Sequence, residues 1–514
     1  MAGKIRITGM NSGLDTDSMV RELVNAYEKQ GEKYTKAKTK TEWKQEAWFT
    51  LNNKIKNFFS KSVNNMRFSS AYSKKKTTVS DSSKANVITS AGAVNGTQSL
   101  EVTDLAKTAY LTGKELKTDK SGNAVTKATT LADLGYTGGD AEIKIGKGAR
   151  KADGTYDSYV TPNIKVNGST TLEQFAKQVS EAGYNANFDE STGRFFISSK
   201  ESGAVNNFDF VSTGSDADSA ISLLGIKVTD DDTGAYKTDG ADATIKLNGA
   251  TFRSATNTFS INGLTITAKE KTTSAISMVT DTDYDEIYDN VKSFLKEYNS
   301  LVNEFDKLYN AKSSKGFEPL TAEEKDAMTE DEIDKWEARI KDALLKSDSE
   351  LDTISSAMHN AMLASFEIDG KKYSLGSFGI NTLGYFEAPE NQKNAYHIYG
   401  DPDDPDVSGK EDRLRAMIAS DPEATASFFQ KLSQGLYDAM NKISSRSDSY
   451  KSFGNFFSDK KVQKDLEDQT KQVTKWEDYV AKMEDKYYRQ FTAMESAMSS
   501  LQSQQSYISQ LFAS

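Results

Sequence analysis

Large apolar side chains recur at alternating steps of three and four residues between Val473 and Phe512 of the 514-residue chain. This spacing is typical of a coiled-coil seam, with one extra four-residue step near Tyr487 that locally unwinds the supercoil. A helix of this length is about 60 Å long, and so narrow a stripe needs partner helices to cover it. The alternative is an ordinary helix packed on its own domain. The seam positions are Val473, Trp476, Val480, Met483, Tyr487, Phe491, Met494, Met498, Leu501, Ile508 and Phe512.

The end of this segment is unusual for a helix that is surrounded by water. Residues from Ser496 to Ser514 include no charged side chain and are rich in Ser, Gln and Met. Such a segment favours a surface that other chains complete.

A second seam begins near the N-terminus. Asp15-Thr16-Asp17 offers a helix cap and acidic charge in the first turn. Apolar positions follow at helical spacing, but the stretch from Lys29 to Lys44 is basic and polar, which weakens the seam there. We expect a long helix whose outer end is only marginally stable alone. Its seam positions are Val20, Leu23, Val24, Tyr27, Tyr34, Trp48, Leu51, Ile55 and Phe58.

From about residue 80 to residue 280 the pattern changes to the short alternating segments that are typical of β-strands. Four Asn-Gly pairs predict hairpin turns. The first of these joins a strand at Val87–Thr89 to a strand at Ser99–Thr103. The pairs are Asn95-Gly96, Asn167-Gly168, Asn248-Gly249 and Asn262-Gly263.

One helix interrupts the β-rich block. Thr171 and Gln174 form a predicted capping box, and apolar residues of the following turns share one face. With the strands before and after it, this helix predicts a small β-α-β-β module from Asn163 to Lys200.

Helical spacing returns at Asp283, where a wide apolar face indicates a packed core. Further helices are predicted after the capping box Thr321/Glu324, over Glu332–Leu345 and Asp348–Leu363, and after Asp421-Pro422. We therefore predict an α+β multidomain protein, in which terminal α-helical coiled-coil legs and a helical domain flank a central β-rich block. The predicted domains are 1–45 with 470–514 (leg), 46–80 with 281–469 (helical body) and 81–280 (β-rich head, with an inner subdomain at about 140–235).

Composition excludes several classes of site. The chain has no cysteine, which removes disulfides, zinc-thiolate sites and cysteine nucleophiles. A mean hydropathy of −0.63 and the lack of any long apolar run predict a soluble chain without a membrane span. The N-terminus lacks the apolar core of a secretory signal peptide. The first 80 residues carry 16 Lys and Arg against 7 Asp and Glu, but acids alternate with them, so we expect no nucleic-acid binding.

The candidate chemistry is weak. His359 and His397 are the only histidines, and we expect both to be solvated or capping residues. The acidic turn from Asp401 to Asp412 superficially matches a calcium loop, but Pro405 and Asp406 occupy positions that require a ligand and a glycine. No pair of carboxylates stands out for glycoside hydrolysis. We predict no catalytic, metal-binding or cofactor-binding residue, no cofactor, and no enzymatic activity.

The two ends of the chain resemble those of a known bacterial family, the flagellar hook-associated protein 2 (filament-capping) proteins. The resemblance lies in Ile7-Thr-Gly-Met-Asn-Ser-Gly-Leu-Asp15, in Ala93–Ala106 and in the stretch from Trp476 to Phe512. The module at Asn163–Lys200 is similar to a small β-rich repeat of flagellin-related proteins. The acidic stretch Asp401–Asp412 departs from the pattern.

This resemblance implies a homo-oligomeric cap at the tip of the extracellular flagellar filament, where it retains exported flagellin and promotes its folding and insertion. It also implies a flagellar export chaperone as partner, and export through the flagellar channel without a cleaved signal peptide. The implied subunit or filament contacts are Leu14, Val20, Leu23, Val24, Met483, Met494, Met498, Leu501, Ile508 and Phe512.

Two alternatives stay open at the level of sequence. Another axial flagellar protein, such as a hook–filament junction protein or a flagellin, shares terminal heptads, although the Gly-x-x-Ser-Gly-Leu-Asp opening favours the cap. A surface adhesin would bind host mucin or other glycans through the β-rich head, which is compatible with capping.

Overall fold

The computed structural model describes residues 13–229, 233–384 and 386–512. They form two compact units, one from residues up to Tyr72 and from Tyr284 onward, the other from Ser73 to Asp283. The α+β class predicted from sequence is confirmed, because the first unit is mainly helical and the second is built of sheets. The opening motif at Ile7–Ser12 lies outside the described residues.

Most helices follow the predicted periodicity, but the helices Ser215–Leu223 and Arg413–Ser420 were not predicted, so two helices rather than one interrupt the β-rich block. Asp15, Asp348 and Asp421 accept backbone hydrogen bonds as N-caps, and the capping boxes at Thr171/Gln174 and Thr321/Glu324 are formed. A π-helical turn over Phe58–Val63 joins the first two helices. In chain order the helices are α1 (Thr16–Asn57), α2 (Asn64–Met66), α3 (Leu172–Glu181), α4 (Ser215–Leu223), α5 (Tyr284–Tyr309), α6 (Ala322–Asp326), α7 (Glu330–Asp342), α8 (Ser349–Met362), α9 (Arg413–Ser420), α10 (Pro422–Ser444) and α11 (Asp459–Phe512).

The strands are short and pair antiparallel throughout the named ladders. In chain order they are β1 (Lys75–Val79), β2 (Ala85–Thr89), β3 (Gly96–Asp104), β4 (Thr108–Thr112), β5 (Ala141–Arg150), β6 (Tyr156–Tyr159), β7 (Ile164–Val166), β8 (Tyr184–Asp189), β9 (Arg194–Ser202), β10 (Phe208–Ser212), β11 (Tyr236–Thr238), β12 (Ala243–Leu247), β13 (Ala250–Ser254), β14 (Thr258–Ile261), β15 (Leu264–Ala268), β16 (Ile276–Thr282), β17 (Phe366–Ile368), β18 (Lys371–Tyr373), β19 (Ile380–Thr382) and β20 (Tyr396–Ile398).

The core of the first unit lies where the inner half of α1 meets α5, α8 and α10. Trp48 and Ile55 of α1, Tyr298 of α5 and Phe428 and Phe429 of α10 are fully buried in one apolar cluster. The wide apolar face predicted for α5 is therefore confirmed. Two small hairpins, β17–β18 and β19–β20, complete this unit.

The second unit contains four sheets and two separate cores. One core draws on buried residues from Ala109 to Ala235 and includes α3 and α4. The other combines residues of 85–102 with residues of 243–278. The sheets have the strand orders β1-β16-β3-β12-β13, β14-β15-β2, β11-β4-β9-β8 and β10-β5-β6, with β7 added on β5.

Two of the four predicted Asn-Gly hairpins are confirmed. Leu247 pairs with Ala250 and Ile261 with Leu264, so Asn248-Gly249 and Asn262-Gly263 each form a two-residue turn. Asn and Gly both have positive φ in these turns, as the tight hairpin requires.

The other two predicted hairpins are wrong. Gly96 opens β3, which pairs with β12 and β16, whereas β2 pairs with β15. Each of these two strands therefore pairs with strands that are distant in sequence rather than with its neighbour. At Asn167, the side-chain carbonyl accepts from the backbone N–H of Ser169, and this turn leads into α3 rather than into a strand.

The β-α-β-β module has the predicted order of elements but is divided between sheets. β8 and β9 pair with each other, while β7 pairs with β5. Local periodicity specified the elements correctly, but it carried no information about the partner strand of β7.

The two kinds of Asn-Gly turn predict different responses to substitution. Gly249 has φ +85°, so Gly249→Ala should lower the free energy of unfolding of the second unit by about 1 kcal/mol. Gly168 needs no positive φ and a Cβ there meets Ala132 at an ordinary 3.5 Å, so Gly168→Ala is the matched control. Urea denaturation of both variants, followed by circular dichroism, measures the difference. Equal losses for the two variants would contradict the turn assignment.

Candidate assembly interface

Helices α1 and α11 pack side by side in opposite directions. Tyr27 Oη lies 3.1 Å from Tyr487 Oη, and Gln45 Nε2 donates to Gln463 Oε1 at 2.8 Å. Between these levels the rings of Tyr34 and Trp476 lie 5.5 Å apart. Residue numbers thus rise along α1 as they fall along α11, so the two ends of the chain form one antiparallel helix pair.

Aromatic side chains hold the middle of this pair. Trp476 donates its indole N–H to the carbonyl oxygen of Tyr27 at 3.0 Å, and Tyr479 meets Tyr27 edge-on at 5.9 Å. The hydroxyl groups of Tyr27 and Tyr487 form a hydrogen bond with each other, and this bond raises the pKa of Tyr27. The contact between α1 and α11 is therefore a specific aromatic arrangement rather than a uniform apolar stripe.

Gly31 makes the close approach of Trp476 possible. A Cβ at this position would overlap the Cδ1 and Nε1 atoms of the indole. Sequence reasoning missed this residue and Tyr479. The available signal was a glycine inside a helical pattern, which costs about 1 kcal/mol relative to alanine and therefore indicates a packing reason.

Polar contacts fix the inner part of the helix pair to the rest of the unit. The buried Asn52 accepts from the backbone N–H of Phe456 at 2.9 Å and donates to Asn455 at 3.2 Å. Lys36 binds Glu324 of α6 at 2.7 Å, and this hydrogen bond lowers the pKa of the Glu324 carboxyl. The α1 helix thus has anchors at its middle, through Lys36, and on its C-terminal half, through Asn52.

The predicted contact residues fall into three groups. Val20 and Val24 are buried within the chain itself, and Met483, Met494 and Met498 of α11 are half-buried. Leu14 and Leu23 are exposed on the N-terminal side. The last group, near the end of α11, is the most exposed: Leu501, Ile508 and Phe512 expose 63%, 51% and 88% of their surface.

The exposed end of α11 runs beyond the level at which α1 begins. Tyr34 lies beside Trp476. Because the two helices are antiparallel, the number of residues back from Tyr34 to Thr16, the first residue of α1, equals the number forward from Trp476 to Met494. Thr16 and Met494 therefore lie at the same level along the pair. The residues from Leu501 to Phe512 span about 18 Å at 1.5 Å per residue. Every described side chain among them is exposed. We call this segment, 501–512, the α11 tail.

The candidate chemical residues serve local structure. Lys292 Nζ binds Asp401 at 2.7 Å and Asp403 at 2.6 Å, which places a cation where the calcium-loop hypothesis would put the metal. The hydrogen bond from Lys292 lowers the pKa of Asp403. His397 Nδ1 lies 2.6 Å from Asp404 Oδ2. Together with Asp406, these side chains are close enough to one another to coordinate a single metal ion. None of the described helices is both long and apolar enough to cross a membrane.

Comparison with known proteins extends over nearly the whole chain. The sequence family "Flagellar hook-associated protein 2 C-terminus" matches residues 240–503, and "Flagellar hook-associated protein 2 N-terminus" matches residues 12–109. Flagellar hook-associated protein 2 of Halalkalibacterium halodurans is 23% identical over 554 residues, covering 99% of this chain and 100% of the relative. The Thermotoga maritima protein of the same name is 26% identical, covering 83% of this chain and 69% of its own length.

A solved structure shares the fold. The crystal structure of the D1-D2-D3 domains of the flagellar cap protein FliD from Escherichia coli matches with a TM-score of 0.51 at 18% identity, covering 78% of this chain and 97% of that chain. The matching C-terminal family alone extends over more than half of the chain. The chain therefore belongs to the flagellar hook-associated protein 2 family, the flagellar filament cap proteins.

Proposed function

We propose that several copies of this chain form an oligomeric cap at the tip of the flagellar filament, which retains exported flagellin and promotes its folding and insertion at the growing end. The observation that carries this proposal is the exposed α11 tail. It is a regular helix with apolar side chains in water, and it bears no charge that would resist burial against another chain.

The apolar residues of the tail share one face. Leu501, Ile508 and Phe512 follow one another at steps of seven and four residues, which returns them to the same side of a helix. Full burial of such a side chain contributes about 1.5–3 kcal/mol. Three of them provide a few kcal/mol per subunit, and several subunits together provide far more through multivalency. This strength suits contacts that must release and form again as the filament grows.

The remaining contact residues take graded roles in this proposal. Leu14 and Leu23 are exposed on α1 and its approach, so they join the α11 tail as direct contacts with neighbouring subunits or with the filament. Val20, Val24 and Met483 support them from within the helix pair. Met494 and Met498, half-buried between the helix pair and the α11 tail, mark the transition between the two roles.

Delivery to the tip completes the proposal. We infer that the chain binds a flagellar export chaperone in the cell and leaves through the flagellar secretion channel without cleavage of a signal peptide. The lack of cysteine supports this route, because passage in an unfolded state then carries no risk of disulfide exchange.

Replacing the apolar face of the tail tests the function. In cells that carry Leu501→Ser, Ile508→Ser and Phe512→Ser together, we expect short or missing filaments and monomeric flagellin in the culture medium. The matched control replaces three exposed polar residues of the same tail, Gln504→Ser, Gln505→Ser and Gln510→Ser. Filaments of normal length in cells with the apolar triple variant, at normal levels of secreted protein, would overturn the proposal.

A further inference from the structure

The α1–α11 pair carries an acidic groove of about 320 Å³ on one side. Trp476, whose indole packs beside Gly31, is one of its apolar lining residues, and no Lys or Arg is among the described residues that line it. Glu28 and Glu477 make no ion pair with any residue that the structure describes, whereas Glu32 Oε2 lies 4.0 Å from Lys36 Nζ of the same helix. Four carboxylates line the groove, from Glu28, Glu32, Glu477 and Glu484.

A cationic side chain is the natural ligand of such a groove. Carboxylates attract an ammonium or guanidinium group, and the face of a tryptophan ring adds a cation–π attraction. The alkyl part of a lysine would cover the apolar floor, while its charged end reaches the carboxylates.

The chain offers a suitable pair of lysines on a neighbouring face of α1. Lys29 and Lys33 are exposed one helical turn apart and make no ion pair within the described ranges. Lys33 Nζ lies over the ring of the adjacent Tyr34, 5.0 Å from the ring centroid. Each lysine is one position, or about 100° around the helix, from Glu28 and Glu32. One helix pair therefore presents acids on one side and bases on the next.

The two surfaces also lie at the same level along the pair. Trp476 is level with Tyr34, so Glu477 is level with Lys33. Neighbours in a closed ring are related by a rotation that joins two different surfaces. When the helix pairs run along the ring axis, that rotation brings the lysines of one copy to the height of the groove of the next.

We propose that the groove of Glu28, Glu32, Glu477 and Glu484 binds Lys29 and Lys33 of a second copy of this chain. This contact deepens the proposed function, on which it rests, because it assigns one lateral surface between subunits of the cap. It differs from the α11 tail in chemistry, since it is electrostatic and weakens with added salt.

Charge reversal tests the contact in the purified full-length chain by sedimentation velocity. Lys29→Glu with Lys33→Glu should weaken self-association about tenfold, and Glu28→Lys with Glu477→Lys should do the same. An equimolar mixture of the two variants should regain the lost affinity, because each supplies the charge that the other has reversed. Lys40→Glu, also exposed on α1 but beyond the groove, is the control and should change nothing.

The outcomes separate this inference from the proposed function. Self-association that is unchanged in both reversed variants, or that the mixture does not restore, overturns the lysine–groove contact. This outcome does not affect the proposed cap function, which the variants of the α11 tail test separately. Variants that self-associate normally but release flagellin into the medium would assign the groove to flagellin and also overturn the contact with a second copy. Unchanged far-UV circular dichroism of each variant establishes that the helix pair is still folded.

Discussion

Replacing Trp48 by alanine should lower the free energy of unfolding of the first unit by about 3–5 kcal/mol, the usual cost of removing a large buried aromatic side chain. Trp48 is 1% exposed, and its ring stacks on that of Phe457 with 5.2 Å between centroids. Phe457 lies two residues before the start of α11, so this stack joins the C-terminal end of α1 to the start of the last helix. Its loss would loosen the base of the helix pair as well as the core.

The adjacent Phe49 supplies a matched control. It is an aromatic residue on the same helix but is 62% exposed. Phe49→Ala should therefore cost less than about 0.5 kcal/mol, because surface substitutions rarely cost more. Urea denaturation of the two variants, followed by tryptophan fluorescence for Phe49→Ala and by circular dichroism for both, measures the contrast. A similar loss for both variants would mean that the inner end of α1 is not packed as described.

Replacing Gly31 by alanine should destabilise the α1–α11 pair by about 1–3 kcal/mol, the usual cost of inserting a methyl group into a filled contact. This is the reverse of the normal effect inside a helix, where alanine is preferred to glycine by about 1 kcal/mol. The added Cβ would overlap the Trp476 indole and disturb its hydrogen bond to Tyr27. The fluorescence of Trp476 should shift towards that of a solvated indole.

A double-mutant cycle isolates the cause. In a Trp476→Ala background the obstacle is absent, so Gly31→Ala should then stabilise the helix by up to about 1 kcal/mol. The sign of the effect thus depends on the residue opposite. If Gly31→Ala has the same effect in both backgrounds, its cost does not come from contact with the indole.

Local patterns in the sequence predicted most of the helices, although they missed α4 and α9. Asp421-Pro422 and the Thr171/Gln174 box each place a helix start through hydrogen bonds between neighbouring residues, which a sequence displays directly. The wide apolar face of α5 likewise indicated a core helix, since the face has to be covered. The seams at the two ends of the chain were predicted to form one leg, 1–45 with 470–514, because a stripe as narrow as that of α11 needs partner helices to cover it.

The contacts between segments that are distant in sequence were less predictable. The strand β2 pairs with β15 across more than 170 residues, and nothing near Asn95-Gly96 shows that the local hairpin loses this competition. Gly31 and Trp476 are even further apart in sequence, and their contact depends on the relative rotation of two helices. The seam pattern also left open where the contact between α1 and α11 ends, and only the level of Thr16 beside Met494 places the tail beyond the first residue of α1.

In the proposed function, other subunits cover the α11 tail at the filament tip. The chain has no cysteine, so Ile508→Cys introduces a single thiol whose reaction with a maleimide reports its exposure. We expect fast labelling in the isolated chain and labelling at least about tenfold slower in caps on filaments, with Asp334→Cys on α7 as the reference for an exposed site. Equal labelling of the Ile508→Cys variant as a free chain and in the cap, relative to that reference, would show that no subunit covers the tail.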